Sequence, residues 1–240
     1  MPQEAFEGRH VAVTGGTGAL GNAVVTHLIA AGAHCHVPCW QESELENFAH
    51  AEHDRVTVVS GVDLRDPKQV ESYYRALPAL WASIHVAGGF DMSPVTETSP
   101  EAYRDLMAMN ADTCFFCCQQ AVASMRRRGA GGEKGGRIVN VAARPALEPR
   151  TGASMVPYTM SKAAVAALTQ ALGEELAAEG IWVNAVAPSI IDTAVNREAM
   201  PGADFGAWPS PDALAASIVF LASPANACTR SGVLPVYGES

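Results

Sequence analysis

Apolar residues along this chain gather in short dense runs, and amphipathic stretches separate one run from the next. The runs read HVAVTG (10–15), HCHVP (34–38), RVTVVSG (55–61), SIHVAGG (83–89), RIVNVAA (137–143), WVNAVAP (182–188) and GVLPVYG (232–238). Their length and β-branched content predict strands, and the stretches between them predict helices. The helices include an Ala-rich one after the first run, a long one from about Glu101 to Met125, one over 155–179 and one near Pro211 to Leu221. Strict βαβ alternation is the pattern of a parallel sheet with helices on both faces. RIVNVAA and WVNAVAP are nearly continuous in apolar character, as strands covered on both sides must be. The expected fold is therefore α/β: a doubly wound parallel sheet of about seven strands, one domain over residues 1–240. No internal repeat interrupts it, and the only low-complexity patch is Gly129–Gly136. The stretch 189–209 reads as irregular and long for a compact domain, and such loops often close over active sites.

Composition narrows the partners. The 240 residues are 48% hydrophobic and carry a net charge of −9, which argues against nucleic acid, since phosphate backbones need basic surfaces. The start, MPQEAFEGRHVAVTGG, has no apolar signal core, and no apolar run approaches the ~18 residues that span a bilayer. A cytoplasmic protein with no membrane partner is the expectation. Six cysteines in a chain of this size read as reduced thiols. Cys114, Cys117 and Cys118 have a spacing that suits metal ligands or a buried helical stripe; with no His or fourth Cys at zinc spacing, they read as packing, and no metal site is expected. Arg126, Arg127 and Arg128 read as a solvated helix end.

Three positions suggest chemistry. The first strand runs into TGGTGALG (14–21) and then a helix. Glycines there allow a tight turn and close backbone approach to a pyrophosphate, which a helix N-terminus favours. Such a cluster is also compatible with a simple turn, but its place after the first strand makes it a dinucleotide signal. Asp63 in GVDLRD and the glycines of VAGG follow later strands, at the carboxyl ends where open α/β sheets bind ligands; Asp63 also reads as a helix cap before Pro67. Finally, Tyr158 and Lys162 stand four apart in YTMSK, which puts phenol and ammonium on one helix face. A nearby cation lowers a phenol's pKa from about 10, which would suit Tyr158 to proton transfer near neutral pH.

TGGTGALG, Asn110 within MNAD, YTMSK, VNAVAP and the closing GVLPVYG, in this order over essentially the whole chain, resemble the short-chain dehydrogenase/reductase family. The resemblance implies a Rossmann-type domain and an NAD(P)H cofactor. It implies that Gly15, Thr17, Gly18, Leu20 and Gly21 wrap the pyrophosphate, that Cys39 and Trp40 border the adenosine ribose, and that Asp63 and Leu64 flank the adenine. Ala87, Gly88 and Gly89 would line the ribose, and Pro188, Ile191 and Thr193 would hold the carboxamide. Tyr158 would be the acid, Lys162 would bind the nicotinamide ribose and lower the Tyr158 pKa, and Asn110 would anchor a proton-relay water.

Departures from the family pattern carry the substrate reading. The serine usual ahead of the catalytic tyrosine falls on Ala143, or on Ala142 if the register slips, so no hydroxyl stands there. Ser154 and Thr151 are the nearby substitutes, or else loop residues. The Asn usual before AlaGly is Val86, and the acid that commonly ends the second strand is replaced by Cys39 and Trp40. VAGG, the alanine in the serine slot, YTMSK and the segment Asp192 to Trp208 are similar to the dihydropteridine reductase branch. Reduction of a conjugated C=N bond spreads charge over nitrogens and needs one proton. Carbonyl reduction builds an oxyanion, for which one missing donor costs ~10²–10³ in rate. The expected activity is therefore NAD(P)H-dependent reduction of a quinonoid dihydropterin or similar small molecule. A carbonyl reductase using Ser154 or Thr151 is the second reading, and a non-catalytic nucleotide sensor the third. Met200, Phe205 and Trp208 supply apolar surface either to a flat heterocycle or to pin the loop. With neither an acid nor a base seen at the second strand, dual cofactor use with a lean to NADPH is expected. The long helices 101–125 and 155–179 resemble the family's dimer helices, implying a homodimer or homotetramer, although burial against the sheet explains their small residues equally.

Overall fold

The computed structural model describes residues 5–240; the first four residues, part of the start read as lacking a signal core, lie outside it. Seven strands, β1 (His10–Thr14), β2 (His34–Pro38), β3 (Val56–Val59), β4 (Ala82–His85), β5 (Gly136–Val141), β6 (Ile181–Pro188) and β7 (Val233–Val236), form one sheet. Its order is β3-β2-β1-β4-β5-β6-β7, and all six pairings are parallel. Every predicted strand is present. The order reverses between β1 and β4, where a doubly wound sheet opens a crevice for ligand.

Helices cover both faces. On one, Val11, Val13, Ile84 and Val139 pack under α1 (Ala19–Ala30) and α8 (Pro211–Ala222). On the other, Ala12, Ile138 and Ala185 pack under α2 (Pro67–Ala76), α4 (Thr113–Ala130) and α6 (Val156–Glu175). Odd and even positions of each strand thus feed different cores, which is why the strands read as continuously apolar. Cys114, Cys117 and Cys118 join the second core.

Three expectations change. The stretch between β2 and β3 holds a 3₁₀ turn at Glu42–Asn47 in place of the expected helix. The long helix from Glu101 to Met125 is interrupted: α3 (Pro100–Met107) gives way to a π-helical turn at Ala108–Asp112 before α4 begins. Asn110 lies in that wide turn, and such turns often mark functional sites. The stretch 189–209 is also more regular than expected. It holds α7 (Ala194–Ala199) and a 3₁₀ turn at Phe205–Ala207. Thr193 caps α7 by accepting from the Asn196 amide, and Arg197 pairs with Asp192 at 2.5 Å. These local bonds stabilise a short helix that periodicity alone does not reveal. Among the described residues, no helix is long and apolar enough to cross a membrane.

Candidate active site

The carboxyl ends of β1, β4, β5 and β6 meet the N-terminal ends of α1 and α6, and the predicted site residues gather there. Gly15 takes φ +66°, a left-handed conformation open to glycine. A side chain at Gly15 would strike the Ala87 amide at 2.6 Å, so the β1 turn and the β4 end touch through bare backbone. Gly18 is the N-cap of α1 and offers no side-chain partner to that helix's first N–H groups. Unpaired amides at a helix N-terminus fit a pyrophosphate. Leu20 points into the core and Gly21 lies against the Gly15 carbonyl, so both shape the turn and only the turn's backbone is left to face a ligand.

At the second strand the structure adds what spacing could not show. Cys39 is buried, with its thiol toward the Gln41 carbonyl and Ser60, while Trp40 is exposed. Glu44, on a 3₁₀ turn at Glu42–Asn47, folds back over this strand end. Its carboxylate accepts from the Trp40 and Gln41 amides at 3.0 Å each and from the Thr17 hydroxyl at 2.8 Å. An acid therefore stands at the end of β2 after all, delivered from six residues beyond Pro38. A base stands nearby too: the Arg65 guanidinium lies 4.7 Å over the Trp40 ring. Arg65 is held by Asp63 through two bonds of 2.9–3.0 Å, which keeps the Asp63 carboxyl below its ordinary range. Asp63 is not the helix cap, since Asp66 caps α2. Leu64 packs at the edge of the second core.

The residues expected to be catalytic form a compact set. Asn110 is 1% exposed; its amide oxygen accepts from the Gly89 N–H at 3.0 Å, and its nitrogen donates to the Gly89 carbonyl and the Ser161 hydroxyl. This double clasp on Gly89 is what the π-helical turn makes room for. A methyl group at Gly88 would fall 2.5 Å from the Asn110 oxygen and 3.2 Å from Lys162 Nζ, so the three share one spot. Lys162 donates to the Val141 carbonyl at 3.0 Å, and burial lowers its pKa to about 8.

Tyr158 departs from expectation. Its pKa is pushed up to about 12 by burial, not lowered by Lys162. Phe90 lies edge-on to the phenol ring with centroids 4.9 Å apart, and the Lys162 ammonium is turned to the Val141 carbonyl. Desolvation of the phenolate dominates where no cation touches the oxygen. Tyr158 is thus a firmly protonated donor.

The two candidate hydroxyls for the missing serine differ in their engagement. Ala142 and Ala143 are both buried, just ahead of the one-turn helix α5 (Arg144–Leu147). Thr151 donates its hydroxyl to the Glu148 carbonyl at 2.8 Å, and Ser154 is exposed with φ +61°. Beyond β6, which ends at Pro188, Ile191 packs on the first core. Met200 ends α7, while Phe205 and Trp208 contact each other at 5.1 Å. Trp208 is only 8% exposed, which makes it an anchor of this segment more than an open contact surface.

Comparison with known proteins agrees with this geometry. The family model described as short chain dehydrogenase matches residues 9–204. The chain is 32% identical to a 2,3-dihydro-2,3-dihydroxybenzoate dehydrogenase from Escherichia coli (strain K12) over 196 residues, covering 80% of this chain and 73% of that one. It is 29% identical over 192 residues to a sorbitol dehydrogenase from Cereibacter sphaeroides, covering 78% and 72%. A short-chain type dehydrogenase/reductase from Mycobacterium ulcerans superposes with TM-score 0.87 at 24% identity, covering 98% and 90%. These relatives act on different substrates by name, and the likeness to the dihydropteridine reductase branch finds no specific support among them.

Proposed function

We propose, from the premise that this chain belongs to the short-chain dehydrogenase/reductase family, that it reduces a conjugated C=N bond, with a quinonoid dihydropterin as the substrate class. Membership makes it an NAD(P)-dependent oxidoreductase. The observation that carries the finer reading is the alanine at the serine position: Ala143 is buried in extended backbone, and Thr151 gives its hydroxyl proton to the Glu148 carbonyl. One acid suffices when charge spreads over ring nitrogens, whereas an oxyanion calls for more donors.

The Gly15 turn, the uncapped start of α1, and Lys162 fit a dinucleotide, with Pro188, Ile191 and Thr193 at its carboxamide end. Hydride is that cofactor's contribution when bound. The chain's own part is to place a proton and exclude water. Tyr158 Oη, protonated up to about pH 12, donates to the substrate nitrogen. Lys162 and Asn110 converge at Gly88 and supply the polar path by which the phenol is reprotonated. Phe90, Met200 and Phe205 offer flat apolar surface for a heterocycle.

Glu44 favours NADH over NADPH and reverses the lean expected from Cys39 and Trp40. Its carboxylate meets only neutral donors, so its charge is free to repel a 2′-phosphate, while the Arg65 charge is already paired with Asp63. A cytoplasmic homodimer or homotetramer fits the exposed Tyr103, Phe115 and Met160 along α3, α4 and α6, and Phe220 and Leu234 on α8 and β7.

The test is oxidation of NADH followed with freshly generated quinonoid dihydropterin and, separately, with an activated ketone. Rapid turnover of the pterin and slow turnover of the ketone supports the reading. A fast ketone reaction abolished by Ser154→Ala would replace it with carbonyl reduction.

A further inference from the structure

Below the cofactor end of the sheet, three soft or imidazole ligands meet in the core. Cys114 and Cys118 stand one turn apart on the same face of α4, and His85 closes β4. One ligand atom from each lies within 4.8 Å of the others, and all three side chains are buried, none more than 5% exposed. Cys118 Sγ is 3.5 Å from His85 Nδ1 and 3.6 Å from Asn140 Oδ1. Asn140 is the register partner of His85 on β5, and its Oδ1 lies 2.8 Å from His85 Nδ1.

We propose that Cys114, Cys118 and His85 form a closed site for a thiophilic divalent cation such as Zn²⁺ or Cd²⁺, with Asn140 Oδ1 as the fourth ligand. Bonds of about 2.3 Å to sulfur and about 2.0–2.1 Å to nitrogen at tetrahedral angles put neighbouring ligand atoms roughly 3.5–3.8 Å apart. Cys118, His85 and Asn140 already stand near that spacing, except that the His85–Asn140 pair must open. Two thiolates cancel the charge of a dication, so the core gains no net charge.

The surroundings suit ligation. His85 Nε2 faces the Ser83 hydroxyl at 2.8 Å and the Tyr74 hydroxyl at 3.4 Å, and those hydroxyls bond each other at 2.9 Å. Asn140 Oδ1 can only accept, so the ring proton of His85 sits on Nδ1 and donates to it. Ligation moves that proton to Nε2, where the Ser83 and Tyr74 hydroxyls rotate to accept it and leave the Nδ1 lone pair to the cation. Such outer partners orient ligating histidines. Asn140 is itself oriented, because its nitrogen donates to Thr169 Oγ1 at 2.9 Å while Thr169 donates to the Val165 carbonyl. That leaves Oδ1 turned to the ligands. A metal here would tie the strand end carrying Ala87 and Gly88 to the helix carrying Asn110 one turn upstream.

The experiment is titration of the reduced protein with Cd²⁺, using the Cys228→Ser variant so that the exposed thiol is removed. The thiolate-to-cadmium charge-transfer band is read after equilibration, because uptake waits on opening of the α4–β4 contact. The expected result is one Cd²⁺ per chain, displaceable by Zn²⁺, with a rise in Tm. Cys114→Ala and Cys118→Ala should each abolish the band, and Asn140→Ala, which deletes the weakest ligand, should weaken binding by at least about 10–100-fold. Each variant's Tm without metal establishes that it is folded, and His85→Gln serves as a further ligand deletion should one cysteine variant fail that check. No band in Cys228→Ser, or a band that survives in the folded ligand variants, overturns the site.

Discussion

Glu44→Gln isolates one charge at the cofactor's adenosine end. Gln preserves the hydrogen-bonding reach that Glu44 uses with the Trp40 and Gln41 amides, and it suits the reciprocal cap with Gln41. The turn at Glu42–Asn47 therefore survives, and only the negative charge is lost. A 2′-phosphate carries about −1.5 to −2. At a separation of roughly 5 Å, each unit charge pair is worth about 0.8 kcal/mol in bulk water and about 3.3 kcal/mol at an effective dielectric of 20. Glu44 is partly exposed, so salt and solvent leave about 2–3 kcal/mol of repulsion, or ~30–150-fold in affinity. The variant should raise kcat/KM for NADPH by that factor and lower kcat/KM for NADH only slightly. Steady-state kinetics with both cofactors at one ionic strength, repeated at high salt, measure it. A shift in the NADPH/NADH ratio below threefold would show that Glu44 does not set preference, and a shift insensitive to salt would show that its effect is not electrostatic.

Tyr158→Phe should leave cofactor affinity intact and reduce turnover by ~10²–10⁴, since it removes the group assigned to hand the proton to substrate. Because burial lowers the Lys162 pKa to about 8, kcat/KM for reduction should fall as pH rises through 8, and Lys162→Met should lose that limb along with most activity. Burial and the neighbouring His10 and His34 hold His36 down to about 4 from 6.5. Protons therefore favour the unfolded chain: stability is full above pH 6.5 and declines toward pH 4 at up to about 1.4 kcal/mol per unit, a slope that urea midpoints measure and that His36→Gln should flatten. Trp208→Ala should cost about 3–5 kcal/mol of stability, visible as a lower Tm, with cofactor affinity unchanged; a raised substrate KM at unchanged Tm would restore Trp208 as a contact surface.

Strands were legible because a strand buried on both faces is apolar at most positions, even though β5 and β6 each bury an asparagine, Asn140 and Asn184. The Gly15 turn and the Tyr158–Lys162 pair stand out because each depends on local spacing, whereas Asn110 is picked out only by the family resemblance. What escaped depends on contacts distant in sequence. The break at Asn110 exists because its amide grips Gly89, and no feature of MNAD announces that partner. Glu44 lies on a short 3₁₀ turn with no apolar period, and its role appears only once the turn folds onto Thr17. The Tyr158 shift has its source in Phe90 and in the orientation of Lys162 toward Val141; adjacency on one helix face says nothing of either. His85 joins Cys114 and Cys118 only through the register of β4 against α4.

The central claim is that a site with alanine at the serine position serves a C=N bond, and Ala143→Ser tests it most directly. Ala143 is buried in extended backbone at φ −160° and ψ 161°, a conformation serine adopts without strain. The measurement is kcat/KM for a quinonoid dihydropterin and for an activated ketone, in wild type and in Ala143→Ser. The account predicts that wild type favours the pterin, and that the variant leaves pterin turnover unchanged or lower. Ketone turnover should rise by less than the ~10²–10³ that a preorganised oxyanion donor contributes. Efficient ketone reduction by wild type, with no gain in Ala143→Ser, would contradict it.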